Sequence, residues 1–472
     1  MSAPADPRDN LSLPPESWAP AVQAKDALKR PLERFLHIQA SSGIVLFACA
    51  VIALVWANSP WKESYHHLWH APVGLHLGPW SFQQSLHFVI NDILMVIFFF
   101  VVGLEIRREM QHGELSELKR ASLPVASALG GMVAPAVIYL ALNLRGGAVQ
   151  GWGVPMATDI AFAVGVLALL GSRVPAALRV LLLALAIIDD IGAILVIALF
   201  YSTGFSLAGL GVALGGVAGI VVLQRVGIRN PWLYVLPGFL VWLGLLLAGV
   251  HPTLAGVIIG MLTPARPWFG TEGFTKEATE ALAEFHAVAR RPGHDEHDLL
   301  SSLDRLRRAR REALAPVVRL EARLNPWVAF GIMPLFALAN AGVTLDSVEL
   351  GAPGATLEAI GIVVGLAVGK PVGVLVASYV AVKLGWSVLP RGVDFRGLAV
   401  VGLVAGVGFT MALFIAQLGF HEPTLLGAAK LAVLAGSAIA GVLASVAGRW
   451  LLRGPAPGAA VSADEAERST AL

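Results

Sequence analysis

Two adjacent aspartates, Asp189 and Asp190, lie in the middle of an apolar run that extends from Val180 to Phe200. About twenty apolar residues is the length that an α-helix needs to cross a bilayer. An ionised carboxylate at that depth is costly unless a charge or water faces it, so the pair predicts a functional site inside a membrane helix. The alternative, a short buried helix of a large soluble protein, is disfavoured by the length of the run.

The composition also indicates a membrane protein. Of the 472 residues, 56% are hydrophobic and 14% are charged, and the mean hydropathy is +0.72, unlike a soluble domain. The net charge of +2 argues against nucleic-acid binding, which needs clustered basic surface. The single cysteine, Cys49, can form no intrachain disulfide. Because the N-terminal residues are polar and Pro-rich, we expect no cleavable signal peptide.

Apolar segments recur along the chain and predict an all-α polytopic membrane protein with about twelve transmembrane helices. We expect helices 1–8 within residues 39–264 and helices 9–12 within 325–452, with tails at 1–38 and 453–472. The predicted spans are 41–57, 86–104, 121–144, 151–171, 176–200, 205–224, 232–248, 250–263, 326–343, 357–382, 395–417 and 424–452.

Lysine and arginine are concentrated in one set of alternating loops, which predicts the orientation of the chain. The basic set holds Arg107, Arg108, Lys119, Arg120, Arg173, Arg179, Arg225, Arg229, Lys383, Arg391 and Arg396. The opposite set holds Lys62 and Arg145. Since basic loops stay in the cytoplasm, we expect an even number of spans with both termini cytoplasmic.

Residues 58–85 alternate apolar and polar side chains around Pro72, Gly74 and Gly78. This pattern predicts a small external β-hairpin. An exposed pair of strands tends to recruit another copy of itself, so we expect the contact of a homodimer there.

Residues 265–324 form a second stretch outside the spans, with helical periodicity on both sides of Pro292 and Gly293. The pattern predicts a cytoplasmic helical hairpin. The histidines and acids at 293–298 indicate a solvated turn rather than a metal site, because their spacing matches no known ligand pattern.

Two spans carry signs of a break in the middle of the membrane. In 151–171, Gly and Pro residues precede Thr158 and Asp159, and in 395–417 the sequence GVGFT places glycines beside Thr410. Backbone that unwinds at membrane depth must face protein or water. A pair of such interrupted spans in corresponding halves is typical of transporters with inverted repeats and a midplane site, although glycines alone also serve close helix packing.

The charges inside the spans do not balance. Asp159, Asp189 and Asp190 face a single buried base, Lys370, so a cation or protons must supply the difference. A hard monovalent cation such as Na⁺ or Li⁺ prefers oxygen ligands, which the carboxylates, the Thr158 hydroxyl and freed carbonyls could supply. Because cation and proton compete for the same oxygens, a site that opens to one side at a time performs exchange.

Several long strings resemble the bacterial Na⁺/H⁺ antiporters of the NhaA type. They are VVGLEIRREM at 101–110, ATDIAFAVGVLALLGSRVP at 157–175, ALAIIDDIGAILVIALFY at 184–201, GVHPTLAGVIIG at 249–260, GKPVG at 369–373 and GVGFTM at 406–411. The resemblance covers almost all spans. It implies an electrogenic exporter of Na⁺ or Li⁺ in the bacterial inner membrane, active in pH and sodium homeostasis and salt tolerance, and a homodimer without a cofactor or enzymatic activity.

The resemblance also implies roles for the buried charges. Asp189 and Asp190 would carry ion and protons, and Lys370 would pair with Asp189 when sodium is absent. Asp159 and Thr158 would lie where two broken helices cross, with Asp159 offsetting the positive ends of the half-helices and Lys370 the negative ends. A core of six helices would move against a panel that also dimerises.

Other matching positions concern the response to pH. Glu105, Glu109 and Arg108 correspond to a region that the family uses in pH sensing, and His251 to a histidine near the external face; a solvated helix end or a packing histidine explains them equally well. Asn325 stands where characterised relatives carry a histidine, and 271–316 is an insertion relative to the shortest members. We therefore expect this protein to share ion transport with those relatives, whereas its regulation by pH is expected to be less well shared.

Three rival functions remain open. A proton-coupled transporter of K⁺ or an organic solute could use the same oxygens. An intramembrane aspartyl protease also needs two acids, but on separate spans with a Gly-x-Gly-Asp signature, and GVGF at 406–409 lacks the aspartate. A passive cation channel conflicts with carboxylates paired to a lysine.

Overall fold

A computed structural model describes residues 39–452 apart from 78–79, 147, 203, 205, 291–295, 346–347, 349–350 and 391. The predicted tails at 1–38 and 453–472 lie outside the described residues. In the described part of the chain, the first half forms helices α1 (Gln39–Ala57), α2 (Lys62–His70), α3 (Leu86–Gln111), α4 (Leu118–Asn143), α5 (Ile160–Leu169), α6 (Ala176–Phe200), α7 (Leu207–Arg225), α8 (Val235–Ala248) and α9 (Leu254–Leu262).

The second half is also helical. It forms α10 (Gly270–Ala289), α11 (Glu296–Ala313), α12 (Pro316–Asn340), α13 (Ala355–Lys383), α14 (Phe395–Ala405), α15 (Phe409–Gly419) and α16 (Pro423–Leu451). A 3₁₀ helix, Val149–Met156, precedes α5. The long helices are apolar on most sides, as expected for segments that face lipid and each other.

Among the described residues, eight helices are long and apolar enough to cross a membrane, and up to eleven spans result if each of three bent pairs is one span. The prediction of an all-helical polytopic protein is therefore confirmed. Its count of twelve stays a prediction, because the segment predicted at 250–263 forms only the short helix α9.

Both predicted helix breaks are present. The 3₁₀ helix Val149–Met156 and α5 are bent by 43°, and α14 and α15 are bent by 48°. The breaks touch, since the backbone N–H of Asp159 donates to the carbonyl of Val407 at 2.8 Å. Backbone groups freed in one broken helix are thus satisfied by the other.

The predicted hairpin is confirmed, but it is shorter than 58–85. Strands β1 (Pro72–Leu77) and β2 (Trp80–Ser85) pair antiparallel, with Pro72 opposite Ser85 and Leu77 opposite Trp80. Residues 62–70, predicted as part of the hairpin, form α2 instead. Tyr65 and Trp69 are one helical turn apart and both are buried, which favours a helix over an exposed strand.

Two helices occupy the predicted helical hairpin. Arg305 of α11 binds Glu277 at 3.0 Å and Glu284 at 2.7 Å, both on α10. The predicted boundary between 324 and 325 stays a prediction, and α12 runs without interruption through both residues. A π-helical segment at Val328–Ile332 lies between Pro326 and Pro334 within this continuous helix.

Glycines allow α13 to approach α4 closely. A methyl group added at Gly373 would collide with the carbonyl of Gly130, and one added at Gly130 would collide with Gly373. Small residues allow such close approach of membrane helices. A π-helical segment at Gly365–Gly369 lies immediately before Lys370, and the two features fix where the lysine side chain enters the protein.

Candidate functional site

The site is built around an ion pair in the interior. Asp189 of α6 and Lys370 of α13 approach to 2.7 Å between Oδ2 and Nζ, and both side chains are 0% exposed. The Lys370 ammonium also donates to the carbonyl of Met156. Since Met156 ends the 3₁₀ helix, the ammonium lies at the negative end of a half-helix.

Thr158 joins the two breaks to this pair. Its hydroxyl lies 2.7 Å from Asp189 Oδ2 and 2.9 Å from the carbonyl of Ala405, the last residue of α14. A hydroxyl carries one hydrogen, so Thr158 shares it between the two acceptors or donates it to one of them. The break therefore supplies both a side-chain oxygen and a main-chain carbonyl next to the carboxylate.

Asp159 lies at the N-terminal ends of the half-helices α5 and α15. Its Oδ1 accepts from the N–H of Phe162 at 3.0 Å, so that it caps α5. Its Oδ2 accepts from the N–H of Thr410 at 3.1 Å and from the Thr410 hydroxyl, in the first turn of α15. One carboxylate thus lies at the positive ends of two half-helices, where a negative charge is stabilised.

Asp190 differs from its neighbour. Successive side chains on a helix are about 100° apart, so Asp190 is directed away from Lys370. Its side chain is 3% exposed, yet it forms no hydrogen bond or ion pair with any described residue. Asp189 Oδ1 is also buried without a partner in this part of the chain. These oxygens, together with Thr158, are the ones available to hold a hard cation.

The structure brings the residues predicted for pH response together only in part. Arg108 binds Glu321 at 2.6 Å and Glu109 at 3.2 Å, where α3 meets α12. Glu105 lies one helical turn before Glu109 and is partly buried, within electrostatic range of Asp190. His251 is in a different cluster.

The ring of His251 lies 2.8 Å from the hydroxyl of Thr253 and 3.9 Å from Asp92 Oδ1, and it packs edge-on against Phe414. Asn325, on α12, is exposed. No described contact joins either residue to the cluster of Arg108.

Sequence reasoning missed a polar network on α3, α12 and α15. Asn340 donates to Asn91 at 2.9 Å, Asn91 donates to Gln417 at 2.9 Å, and His87 lies 3.0 Å from Asn340. Gln417 also donates to Asn340. An amide side chain inside an apolar segment is the signal that could have revealed it, because such a group must find a partner.

Two more buried polar residues were not singled out. Ser437 of α16 accepts a hydrogen bond from the N–H of Phe409 at 3.0 Å and so caps α15. Glu358 of α13 is fully buried, and both of its carboxylate oxygens lack a partner among the described residues. An acid in the first turn of an apolar helix was the available signal.

Comparison with known proteins agrees with the geometry. The family model described as Na⁺/H⁺ antiporter 1 matches residues 33–447. A protein of Sorangium cellulosum (strain So ce56) named Na⁺/H⁺ antiporter NhaA 2 is 60% identical, over 98% of this chain and 99% of its own. A protein of the same name from Myxococcus xanthus (strain DK1622) is 58% identical over 99% of both chains.

A third relative, named Na⁺/H⁺ antiporter NhaA, comes from Janthinobacterium sp. (strain Marseille) and is 52% identical over 87% of this chain and 91% of its own. The matches extend over the spans, the two breaks and the buried charges. With eight or more helices able to cross a bilayer, the chain is a multi-pass membrane protein, and it belongs to the Na⁺/H⁺ antiporter 1 family.

Proposed function

We propose that this protein exports Na⁺ or Li⁺ from the bacterial cytoplasm in exchange for protons, and that the two cargoes compete for Asp189 and Asp190. The single observation that carries the proposal is the contrast between the two acids. Asp189 is paired with Lys370, whereas Asp190 is buried without a partner among the described residues. A buried carboxylate in this state needs a proton or a cation.

The charges of the site support one neutralising ion at a time. Lys370 offsets Asp189, and the starts of α5 and α15 offset Asp159. The charge of Asp190 is then the one left over. Na⁺ bound there excludes the proton, and a proton excludes Na⁺, so binding of either cargo releases the other.

The exchange that follows is electrogenic. When Na⁺ binds both carboxylates, Asp190 releases its proton, and Lys370, separated from Asp189, releases another. Two protons leave and one Na⁺ is bound, so the charge of the site falls by one, and net charge crosses the membrane in each cycle. Oxygen ligands from Thr158 and from the carbonyls at the breaks would complete the coordination of Na⁺ or Li⁺.

We infer that exchange proceeds by alternating access, with inverted repeats and crossing half-helices at the centre of twelve spans. The buried rings of Phe99, Phe336 and Phe414 would close one side. On α15, Phe414 lies between Thr410 of the site and Gln417 of the polar network. Hydrogen-bonded amides make a seal that opens at low cost, because water replaces the lost partners.

The remaining assignments follow from the same scheme. The cluster of Glu105, Arg108, Glu109 and Glu321 at the basic, cytoplasmic end of α3 would sense internal pH, and His251 with Asp92 would act separately. Both termini would be cytoplasmic. The hairpin formed by β1 and β2 would join two protomers, and loss of its residues should convert a dimer in detergent to a monomer.

Proton movement in everted membrane vesicles tests the proposal. Addition of NaCl or LiCl should dissipate the proton gradient in vesicles that contain the wild-type protein. It should not do so in vesicles that contain Asp190→Asn, because an amide side chain releases no proton. Glu280→Gln, which alters an exposed acid on α10, should behave as wild type. A response to KCl alone would support the rival K⁺ transporter, and full activity of Asp190→Asn would exclude the competition mechanism.

A further inference from the structure

A second buried acid lies far from the aspartate pair. Glu358 is in the first turn of the continuous helix α13, and it is 0% exposed. Lys370 is about 18 Å further along this helix at 1.5 Å per residue. The opposite end of α13 leads to the basic loop with Lys383, so Glu358 lies at the outer end of the helix in the predicted orientation.

Glu358 and its surroundings contain buried oxygen atoms that accept no hydrogen bond from any described residue. Neither carboxylate oxygen has a partner among the described residues, and neither does the buried Oδ1 of Asn143 on α4. Asn143 is close, because its amide group donates to the carbonyl of Leu357 at 3.3 Å. Three buried acceptors in one region are stable only if something positive is placed among them.

The packing directs Glu358 toward α4. Gly361 lies three residues later and so on the same side of the helix. A methyl group at Gly361 would lie 2.8 Å from the Asn143 amide nitrogen and 2.9 Å from the ring of Tyr139. This close approach leaves the acid against Asn143 and Tyr139 rather than against lipid.

We propose that Glu358 is a second proton-binding site, loaded from the outer side of the membrane and separate from the aspartate pair. One proton on one carboxylate oxygen supplies a donor and removes the uncompensated charge. Sodium fits this place less well, since a hard cation takes about six oxygen ligands and the described residues leave three buried oxygens without a partner here.

The same place also tolerates the ionised form, which a proton-exchanging group requires. Burial favours the neutral acid, whereas the first turn of a helix of this length stabilises an anion. On the near halves of the elements packed against Glu358, and in the turns beside them, the titratable groups are Tyr139, Arg145, His421, Glu422 and Lys430. Lys119 and Arg120 of α4 and Arg449 of α16 lie at the far ends of their helices.

Arg145 is exposed and forms no ion pair with any described residue, so it does not neutralise the acid. Glu422 is exposed at the start of α16 and lies within electrostatic range of Glu358.

A connection to the transport site runs through Tyr139. Its hydroxyl donates to the carbonyl of Ala148 at 2.7 Å, just before the 3₁₀ helix whose last carbonyl binds Lys370. A charge that appears on Glu358 thus acts on the outer end of the half-helix that holds Lys370. This role in exchange, though not the proton site itself, rests on the proposed antiport, and it makes Glu358 a determinant of the response to external pH.

Infrared spectroscopy of the full-length protein tests the site directly. The carbonyl band of a protonated carboxylic acid should be lost in Glu358→Gln, and pH titration of that variant should bind one proton fewer per chain. The exposed-acid variant Glu280→Gln should keep the band. If Glu358→Gln does not fold, Glu358→Leu removes the same oxygens at similar volume. An unchanged band and proton count in a folded variant would overturn the proposal.

Two further measurements separate the alternatives. Calorimetry should give the same number of bound Na⁺ per chain in wild type and Glu358→Gln, and loss of a second Na⁺ would show a cation site instead. In proteoliposomes the variant should still exchange, with an altered dependence on external pH and little change at internal pH. Absence of exchange in the wild type would refute the proposed function, whereas exchange with an unaltered profile would refute only the role of Glu358.

Discussion

Replacement of Lys370 by alanine should destabilise the protein strongly. The ammonium lies 2.7 Å from Asp189 with both side chains fully buried, and it also satisfies the carbonyl of Met156. Lys370→Ala removes the only counter-charge in direct contact with Asp189 among the described residues. Breaking a buried pair by removing one partner costs about 3–5 kcal/mol, because the other charge stays behind without compensation.

A second estimate of the same cost comes from proton binding. In the variant, Asp189 can become neutral only by taking up a proton, whereas in the unfolded chain an aspartate has a pKa of about 3.9. Holding that proton at pH 7 costs about 4 kcal/mol, and at pH 5 about 1.5 kcal/mol, at 1.36 kcal/mol per pH unit. The folded variant binds more protons than the unfolded chain, so its stability falls as pH rises.

Thermal unfolding in detergent measures this difference. With about 2.1 cal/mol/K of unfolding entropy per residue, or about 1 kcal/mol/K for 472 residues, the midpoint of Lys370→Ala should fall by about 4 °C at pH 7 and about 1.5 °C at pH 5 relative to wild type. Addition of Asp189→Asn to the variant should restore most of the loss at pH 7, since no charge remains to be neutralised.

The control is a neutral hydrogen bond that joins α13 to a different neighbour, α4. Ser127 and Ser378 approach to 2.7 Å, and Ser127 also donates to the carbonyl of Leu123. Ser378→Ala should therefore cost about 1 kcal/mol at either pH. A Lys370→Ala protein that melts like Ser378→Ala, with no dependence on pH, would refute the reasoning.

Other changes test the remaining parts of the site. Thr158→Val removes a hydroxyl bonded to a carboxylate, worth about 1.5–3 kcal/mol, so the apparent Na⁺ affinity in vesicles should fall about tenfold or more; unchanged affinity would exclude the hydroxyl as a ligand. Asp159→Asn leaves one acceptor oxygen for two helix starts and should cost about 1–3 kcal/mol in thermal unfolding; wild-type stability would contradict the capping role. Gly373→Ala should cost about 1–3 kcal/mol by forcing two helices apart, and a stable variant would show that the contact is loose. Gln417→Ala should increase labelling of Phe414→Cys by an external thiol reagent in a background without the native cysteine, and equal labelling would exclude the polar network as a seal.

The helical fold could be predicted because membrane helices obey local rules. Length and hydropathy locate each long span, and Gly or Pro beside Thr158 and in 406–408 locate both breaks. The prediction of secondary structure failed where the apolar pattern of a few residues fits both a helix and a strand. The helix at 62–70 resembled a strand, since Tyr65 and Trp69 show as a helical face only once their burial against other elements is known.

The charged residues of the site could be predicted from the sequence, but most of the contacts between them could not. Three acids and one base at membrane depth require compensation, which is a statement about charge alone. That Asp159 caps two helices, with Thr410 as a donor, follows from how the two breaks touch, and no local pattern contains this information. The partner of Arg108 was missed for the same reason, because Glu321 is distant in sequence.

In the proposed mechanism, the adjacency of Asp189 and Asp190 allows a single helix to supply both of the carboxylates for which Na⁺ and protons would compete. Two acids one turn apart would share a face, and both could pair with Lys370. Neighbours are rotated by about 100°, so one is held by the lysine while the other stays without a partner among the described residues, at nearly the same depth. In the proposed exchange, Na⁺ that binds both carboxylates displaces Lys370 from Asp189, and that displacement would link one metal ion to more than one proton.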